Sequence, residues 1–172
     1  MYIRVIADLK RWKTIVNNNP VLLPADCLFD IKTTNNTLSL WQVQDSPAQE
    51  ELEDFTVIST LGRESIDKVS YICISDQELQ SQGLEIRNDN PNCKYLNNDK
   101  TDFINHHFDI INIDCYQYQK IADLIRSKIN KDELKILTKS SVLASAIRLF
   151  KNEILIKENL KDNIINKIES KL

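Results

Sequence analysis

The chain has 172 residues, of which 42% are hydrophobic and 27% are charged, and its net charge is −3. This length is typical of one domain, and the composition excludes a disordered chain. The chain contains two glycines, Gly62 and Gly83, and no GxGxxG, GKS or GKT sequence, so it lacks the glycine-built loops that hold phosphates in dinucleotide-binding and P-loop proteins. We expect its seventeen asparagines to occupy turn positions that glycine usually takes.

The cysteines and the hydropathy pattern indicate that the protein is cytoplasmic. The four cysteines are Cys27, Cys73, Cys93 and Cys115. They form no CxxC pair, so the sequence predicts neither a zinc site nor a redox site, and we expect Cys73 to be a buried thiol in a strand. Charges at Arg4, Asp8 and Lys10 exclude the apolar segment of a signal peptide, and no uncharged apolar run reaches the roughly 18 residues of a membrane span. We predict a cytoplasmic protein without membrane association.

Charge is distributed unevenly along the chain. Residues 1–119 carry 10 basic and 18 acidic groups, a net charge of −8, whereas residues 120–172 carry 12 basic and 7 acidic groups, a net charge of +5. A basic segment of this kind is typical of a surface for nucleic acid or for an acidic partner. The simpler interpretation, which we favour, is that the lysines solvate the outer faces of helices.

The first elements are a strand, a helix and a hairpin. Tyr2–Ala7 is rich in β-branched residues and predicts a strand. Asp8 suits the N-cap of a helix that runs to about residue 16. Its apolar face would consist of Leu9, Trp12, Ile15 and Val16. Asp26–Val43 alternates apolar and polar residues around a turn at Thr33–Asn36 and predicts a hairpin, in which Trp41 lies either on a second covered face or in solvent.

The remaining elements follow from their caps and periodicity. They are a helix from Asp45–Pro47 to about Leu61 ended by Gly62, a strand at Val69–Ile74, a helix at Asp76–Gln82 ended by Gly83, a strand at Leu84–Arg87, a loop over residues 88–102, a strand at Phe108–Ile113, and a helix at Cys115–Ile129 capped by Asp114. Leu134–Leu137 is either a strand or a first helical turn. A helix capped by Ser140 or Ser141 and a last helix at Asn159–Leu172 complete the chain.

These elements predict an α+β fold, with an α/β-like arrangement as the variant. The N-terminal strand and the hairpin would belong to a small mixed sheet that is packed with helices and followed by a helical C-terminal segment. We predict a single domain over residues 1–172, with a mixed α/β part at 1–114 and a mainly helical part at 115–172.

His106 and His107 are the first candidates for chemistry, because histidine transfers protons near neutral pH and binds metals. The pair lacks HxxxH or HxH spacing, although Asp109 could face the same way as one histidine on a strand. We favour the simpler interpretation that the histidines are half-exposed where a loop meets a strand.

Two further groups of residues are weaker candidates for catalysis. Cys115 follows a predicted N-cap, where a thiolate is stabilised, and could pair with His106 or His107, but a buried structural cysteine is the simpler interpretation. Asp30-Ile31-Lys32 and Glu133-Leu134-Lys135 match the acid-x-Lys fragment of metal-dependent nucleases, a short pattern that occurs by chance. We therefore predict no catalytic residue, metal or cofactor.

Interaction signals are stronger than catalytic ones. The last helix repeats Leu160, Ile164, Ile168 and Leu172 on one narrow face, which would pack either on this chain or on a second copy of it. We name Trp12, Trp41, His106 and His107 as candidate partner-binding residues, since buried aromatic residues dominate binding energy.

The sequence favours a non-catalytic protein that binds a protein partner. An immunity protein, an antitoxin or an accessory subunit would fit, because the acidic residues 1–119 would steer toward a basic or nuclease-like partner. The alternative is a nucleic-acid-binding protein or nuclease that uses the basic residues 120–172.

Overall fold

The computed structural model describes residues 1–14, 19, 22–31, 33, 35–88 and 93–172. Within these residues the strands are β1 (Tyr2–Ile6), β2 (Leu38–Gln42), β3 (Val69–Ile74), β4 (Glu85–Asn88), β5 (His107–Ile111) and β6 (Lys135–Leu137). The α-helices are α1 (Leu9–Lys13), α2 (Gln49–Ile58), α3 (Asp76–Ser81), α4 (Cys115–Asn130), α5 (Lys139–Lys151) and α6 (Asp162–Glu169). Short 3-10 helices lie at Ala25–Phe29, Phe103–His106 and Lys157–Asn159.

The six strands form one sheet in the order β4-β5-β2-β1-β3-β6. Every strand pairing in the described part of the chain is antiparallel, which confirms the α+β class and leaves no parallel pair for an α/β-like arrangement. The N-terminal strand β1 lies inside the sheet between β2 and β3. Strand β6 joins the same sheet, which confirms the strand alternative for Leu134–Leu137 within the mainly helical C-terminal part.

Side chains alternate between two covered faces of the sheet, as the period of a strand requires. On one face, here called the α5 face, Ile3, Trp41 and Tyr71 pack with α2, α5 and α6. On the other, here called the α4 face, Tyr2, Leu40 and Ile72 pack with α1, α3, α4 and the 3-10 helix Ala25–Phe29. Trp41 and Leu40 are therefore both buried, on opposite faces, so Trp41 lies on a second covered face and not in solvent.

The predicted hairpin at Asp26–Val43 is wrong in its first strand. Ala25–Phe29 forms a 3-10 helix, closed by i to i+3 hydrogen bonds from Cys27 N to Pro24 O and from Asp30 N to Cys27 O, both 3.0 Å. Pro24 fixes its own φ near the helical value and starts this turn. Cys27 is buried and Phe29 is exposed, so the apparent alternation came from one turn of helix. Strand β2 pairs instead with β1 and β5.

Several helix ends differ from their predicted positions. Helix α2 begins at Gln49, beyond Asp45–Pro47, and ends at Ile58 because Ser59 to Gly62 form turns. Thr138 caps α5 by accepting a hydrogen bond from Ser141 N at 3.1 Å, so Ser141 lies inside the helix. Helix α6 begins at Asp162 after a 3-10 turn. The predicted apolar residues Ile15 and Val16 lie outside the described residues.

Asparagine does replace glycine at several turns. Asn35, Asn36 and Asn112 have left-handed φ values of 53°, 58° and 56°, and Gly83, which ends α3, has φ 64°. Asparagine tolerates this region because its short side chain bonds to the nearby backbone. Asp132 and Glu153 adopt the same conformation, at φ 56° and 57°.

The C-terminal stripe closes the core of this chain. Leu160, Ile164 and Ile168 are buried in the cluster on the α5 face, whereas Leu172 is 56% exposed. Three of the four residues that were offered for a contact with a second copy are therefore occupied within the fold.

Candidate functional site

Trp12 is a core residue with 0% exposure. Its Nε1 donates a 2.6 Å hydrogen bond to Asp30 Oδ2, and Ala7 N donates a 2.8 Å bond to Asp30 Oδ1. Arg4 also donates to the Asp30 backbone carbonyl at 3.1 Å. Asp30 thus joins α1 and the 3-10 helix to β1. It lies after that helix and outside the strands, so the acid-x-Lys fragment does not occupy the strand that a nuclease site requires, and its Lys32 lies outside the described residues.

Trp41, His106 and His107 meet at the edge of the α5 face. The His107 ring contacts the Trp41 ring edge-on, with centroids 5.0 Å apart, and both residues are buried. His106 is half-buried, lies 5.4 Å from the Phe55 ring, and has its Nε2 4.0 Å from Asp102 Oδ2. Because Trp12, Trp41 and His107 are buried, His106 is the candidate among these four that offers a substantial surface to a partner.

His107 and Asp109 face the same way on β5, as the alternation of a strand requires. Both are buried, and Asp109 Oδ1 has no hydrogen-bond partner among the described residues. Neither residue lines the clefts described below. No group of three His, Cys, Asp or Glu side chains that could hold a metal occurs in the described ranges.

Cys115 is exposed at the first position of α4, contrary to the expectation of a buried structural cysteine. It follows the C-terminal end of β5, whereas His107 is the first residue of that strand. The four residue steps along β5 span about 13 Å at the usual strand rise, so the alternative of a Cys115–His107 pair is not realised. The other three cysteines are also free thiols, and Cys73 is only partly buried.

An aromatic patch, defined by Leu28, Phe29, Tyr116 and Tyr118, lies where the 3-10 helix Ala25–Phe29 meets the start of α4. Phe29 is 73% exposed and Tyr116 is 80% exposed. Tyr118 Oη donates a 2.5 Å hydrogen bond to Leu28 O and ties the two segments together. The patch also borders a groove of about 580 Å³ that contains Cys115 and Asn112.

Local structure keeps these apolar side chains exposed to solvent. Cys27 anchors the 3-10 helix by burying its side chain, which leaves Leu28 and Phe29 on the outer side. Asp114 fixes the start of α4, because its carboxylate accepts hydrogen bonds from Tyr116 N at 2.7 Å and Gln117 N at 2.9 Å. The patch is therefore preorganised by a cap and a buried anchor.

Three carboxylates lie on the segments that carry the aromatic patch. Asp26, Asp114 and Asp123 are all exposed. Burial raises the pKa of the Cys27 thiol, the charge of Arg126 opposes this rise, and the charges of Asp30 and Asp123 add to it. Arg11 lies with its guanidinium carbon 5.7 Å from the centre of the Phe29 ring, but Asp8 pairs with it at 3.2 Å. The border of the patch is therefore negatively charged.

Sequence reasoning missed the aromatic patch for one reason. A strand at residues 27–31 places Phe29 on the same side as Cys27 and Ile31, whereas the 3-10 helix places it opposite to them. The signal was Pro24 followed by Asp26, which favours a helical start over a strand.

The positive charge of residues 120–172 is partly neutralised in the fold. Arg148 lies 2.5 Å from Asp54, and Lys157 and Lys161 pair with Glu169 and Glu64 at 2.5 and 3.1 Å. Nζ of Lys128 lies 2.6 Å from Glu78 and 2.7 Å from Glu133. Lys120 donates to the carbonyl of Gln82 at 2.7 Å. These basic groups hold helices together and do not form one continuous basic surface.

None of the helices in the described part of the chain is both long and apolar enough to cross a membrane. No protein-family model, curated protein or solved structure matches this chain.

Proposed function

We propose that this protein is a non-catalytic protein-binding protein whose aromatic patch binds a protein partner. The observation that carries the proposal is the exposure of Phe29 and Tyr116 on two segments that the hydrogen bond from Tyr118 to Leu28 joins. Aromatic side chains supply large contact areas at a low cost in conformational entropy and are enriched in interface centres. A fold that needed these residues only for stability would bury them.

The charge around the patch defines the partner. With Asp26, Asp114 and Asp123 at its border, the patch suits a partner with an apolar centre and a rim of lysine and arginine. Electrostatic attraction between such rims accelerates association. Immunity proteins, antitoxins and accessory subunits that cover a basic or nuclease-like partner have this chemistry, and the proposal extends to that class.

The internal use of reactive groups supports a non-catalytic role. Asp30 is bonded to Trp12 and Ala7, and the Lys128 ammonium contacts two carboxylates. Among the described residues, Cys115 lies too far from the histidines for a thiol and an imidazole to act as a nucleophile and its base. The alternative function, nucleic-acid binding through residues 120–172, is less favoured because several of its basic groups are paired within the fold.

The experiment compares variants during co-purification with the products of neighbouring genes, expressed one at a time. The Phe29→Ser/Tyr116→Ser double variant is expected to lose a partner that the natural chain retains. Leu172→Ser, which removes another exposed apolar residue elsewhere, is the control and is expected to retain it. Raising the salt concentration is expected to weaken the association.

Three results would overturn the proposal. The first is retention of the partner by the double variant. The second is loss of the partner by the Leu172→Ser control to the same degree. The third is concentration-dependent dimerisation of the natural chain that the double variant abolishes, because the occupant would then be a second copy. Salt-sensitive retention of DNA or RNA by the chain would favour the alternative function instead.

A further inference from the structure

A second open surface lies on the α4 face, beside α1, and its lining residues are different from those of the aromatic patch. It is a cleft of about 440 Å³ between α1, the C-terminal ends of β1 and β6, and the N-terminal end of β3. The register pairs Ile6 with Ser70 and Ser70 with Ile136, so these three side chains form a row across three neighbouring strands. They form the floor of the cleft.

Helix α1 supplies one wall. Lys10 and Lys13 are three residues apart and share a side of this helix, and Lys10 and Thr14 are four apart. Lys68, on the segment before β3, also lines the cleft. None of the three lysines forms an ion pair with a residue that the structure describes.

The charge of this cleft is opposite to that of its surroundings. Residues 1–119 carry 10 basic groups against 18 acidic groups, yet three of those basic groups line this cleft together. One carboxylate, Asp8, also lines it, but that group accepts a hydrogen bond from Lys10 N and pairs with Arg11. The cleft is therefore positively charged within an acidic part of the chain.

The floor also contains an apolar residue that the fold leaves uncovered. Ile136 is 54% exposed, although its neighbour Leu137 is buried on the α5 face. With Ile6 and Leu9 it presents an apolar surface directly beside the lysines. The volume of the cleft lies within the range of small-molecule sites, which combine an apolar lining with a few convergent polar groups.

We propose that this cleft binds a small organic phosphate that carries an apolar or aromatic group. The three ammonium groups and the hydroxyl of Ser70 would contact the phosphate, because lysine binds phosphate as a point charge. The apolar group would lie against Ile6, Leu9 and Ile136. This site is separate from the aromatic patch, and its proposal holds whether or not the patch binds a protein.

The test uses phenyl phosphate as the probe and follows the backbone amide signals of the ¹⁵N-labelled full chain by NMR. Saturable shifts are expected at Leu9, Thr14, Ser70 and Ile136. Inorganic phosphate, which lacks the apolar group, and benzyl alcohol, which lacks the charge, are each expected to bind more weakly than phenyl phosphate.

Variants test whether the lysines of the cleft contribute to phenyl phosphate binding. Lys13→Ala/Lys68→Ala is expected to weaken phenyl phosphate binding about tenfold, the factor that corresponds to the loss of two favourable charge interactions. Lys131→Ala/Lys171→Ala removes two exposed lysines elsewhere and is expected to leave binding unchanged. The proposal is overturned if the shifts do not saturate, if they centre on another surface, or if the two double variants weaken binding equally.

Discussion

The two faces of the sheet are covered in different ways. On the α5 face, α2, α5 and α6 and the stripe of Leu160, Ile164 and Ile168 form a large apolar cluster. On the α4 face, α4 covers the centre, while the 3-10 helix Ala25–Phe29 and the short helices α1 and α3 cover the remainder. Both open surfaces, the aromatic patch and the lysine-lined cleft, occur on the α4 face.

This difference shows where the fold leaves room for binding. A helix of several turns buries a continuous stripe, whereas a short helix covers only one or two strand residues. Beside α4 the cover consists of short elements, which leave Phe29 exposed on the 3-10 helix and Ile136 exposed on β6. Loops and short elements on a rigid scaffold are where binding residues concentrate.

The largest expected effect compares the cores of the two faces. Ile72→Ala on the α4 face and Ile168→Ala on the α5 face each remove a side chain with 0% exposure, and each is expected to lower the free energy of unfolding by about 2–5 kcal/mol. Urea denaturation, monitored by circular dichroism, measures the change. If both faces belong to one domain, each variant shifts a single transition. Two separate transitions would contradict the predicted single domain.

The next prediction contrasts a tryptophan on each face. Trp12→Phe removes the hydrogen bond to the buried Asp30 carboxylate and is expected to cost about 1–3 kcal/mol beyond the change in packing. Trp41→Phe, which keeps the aromatic contact with His107, is the matched control and is expected to cost less. Urea denaturation ranks the two variants. A larger loss of unfolding free energy for Trp41→Phe would contradict the prediction. It would show that the hydrogen bond from Trp12 to Asp30 is not the main contact that holds α1 on the α4 face.

A smaller effect is expected at the ion pairs of α4. Burial would raise the pKa of Glu78, but hydrogen bonds from Lys128 and Ser75 lower it below its ordinary value of 4.5. Because this pKa is lower in the folded chain, the stabilisation is complete above pH about 4.5 and is lost as the pH falls through the folded pKa. Lys128→Met is therefore expected to cost about 1 kcal/mol at pH 7 and less at pH 3, since the carboxylate partners are partly exposed.

Burial would likewise lower the pKa of Lys128, but hydrogen bonds from the ammonium to Glu133 and Glu78 raise it above 10.5. The contribution of Lys128 is thus present below pH 10.5 and is lost as the pH rises through the folded pKa. Denaturation at pH 3 and pH 7 tests the sign for Glu78, and denaturation above pH 10.5 tests the sign for Lys128. Lys131→Met, an exposed residue on the same segment, is the control and is expected to show no such pH dependence.

The smallest effect is expected at the aromatic patch. Phe29→Ser and Tyr116→Ser each change a side chain that is mostly in solvent, so each is expected to alter the free energy of unfolding by less than about 0.5 kcal/mol. Thermal and urea denaturation measure this. A loss of several kcal/mol would mean that these residues stabilise the α4 face, and their exposure would then no longer argue for a partner.

Local signals in the sequence were sufficient for much of the fold. The uncharged run Val69–Ile74 is a strand, Asp114 caps α4, and Gly83 ends α3, as predicted. In each case the determinant lies within a few residues. The amphipathic face of α4 was also predicted, and Ile121, Ala122, Ile125 and Ile129 are buried.

The rest depended on contacts between distant residues. The hairpin prediction was wrong because β2 pairs with β1 and β5, and local alternation does not specify a partner strand. The lysine-lined cleft unites Lys10, Lys68 and Ile136, which only the strand order β1-β3-β6 brings together. The lysine-lined cleft could therefore not be predicted without the topology.

The outer strands of the sheet have a consequence for solubility. Strand β6 has three residues, and β4 has four, with Glu85 and Arg87 among them. Short and charged edge strands are poor templates for pairing with another chain. The sheet is thus protected from growth by edge-to-edge addition, and the protein can display an aromatic surface on one face with a low tendency to form fibrils.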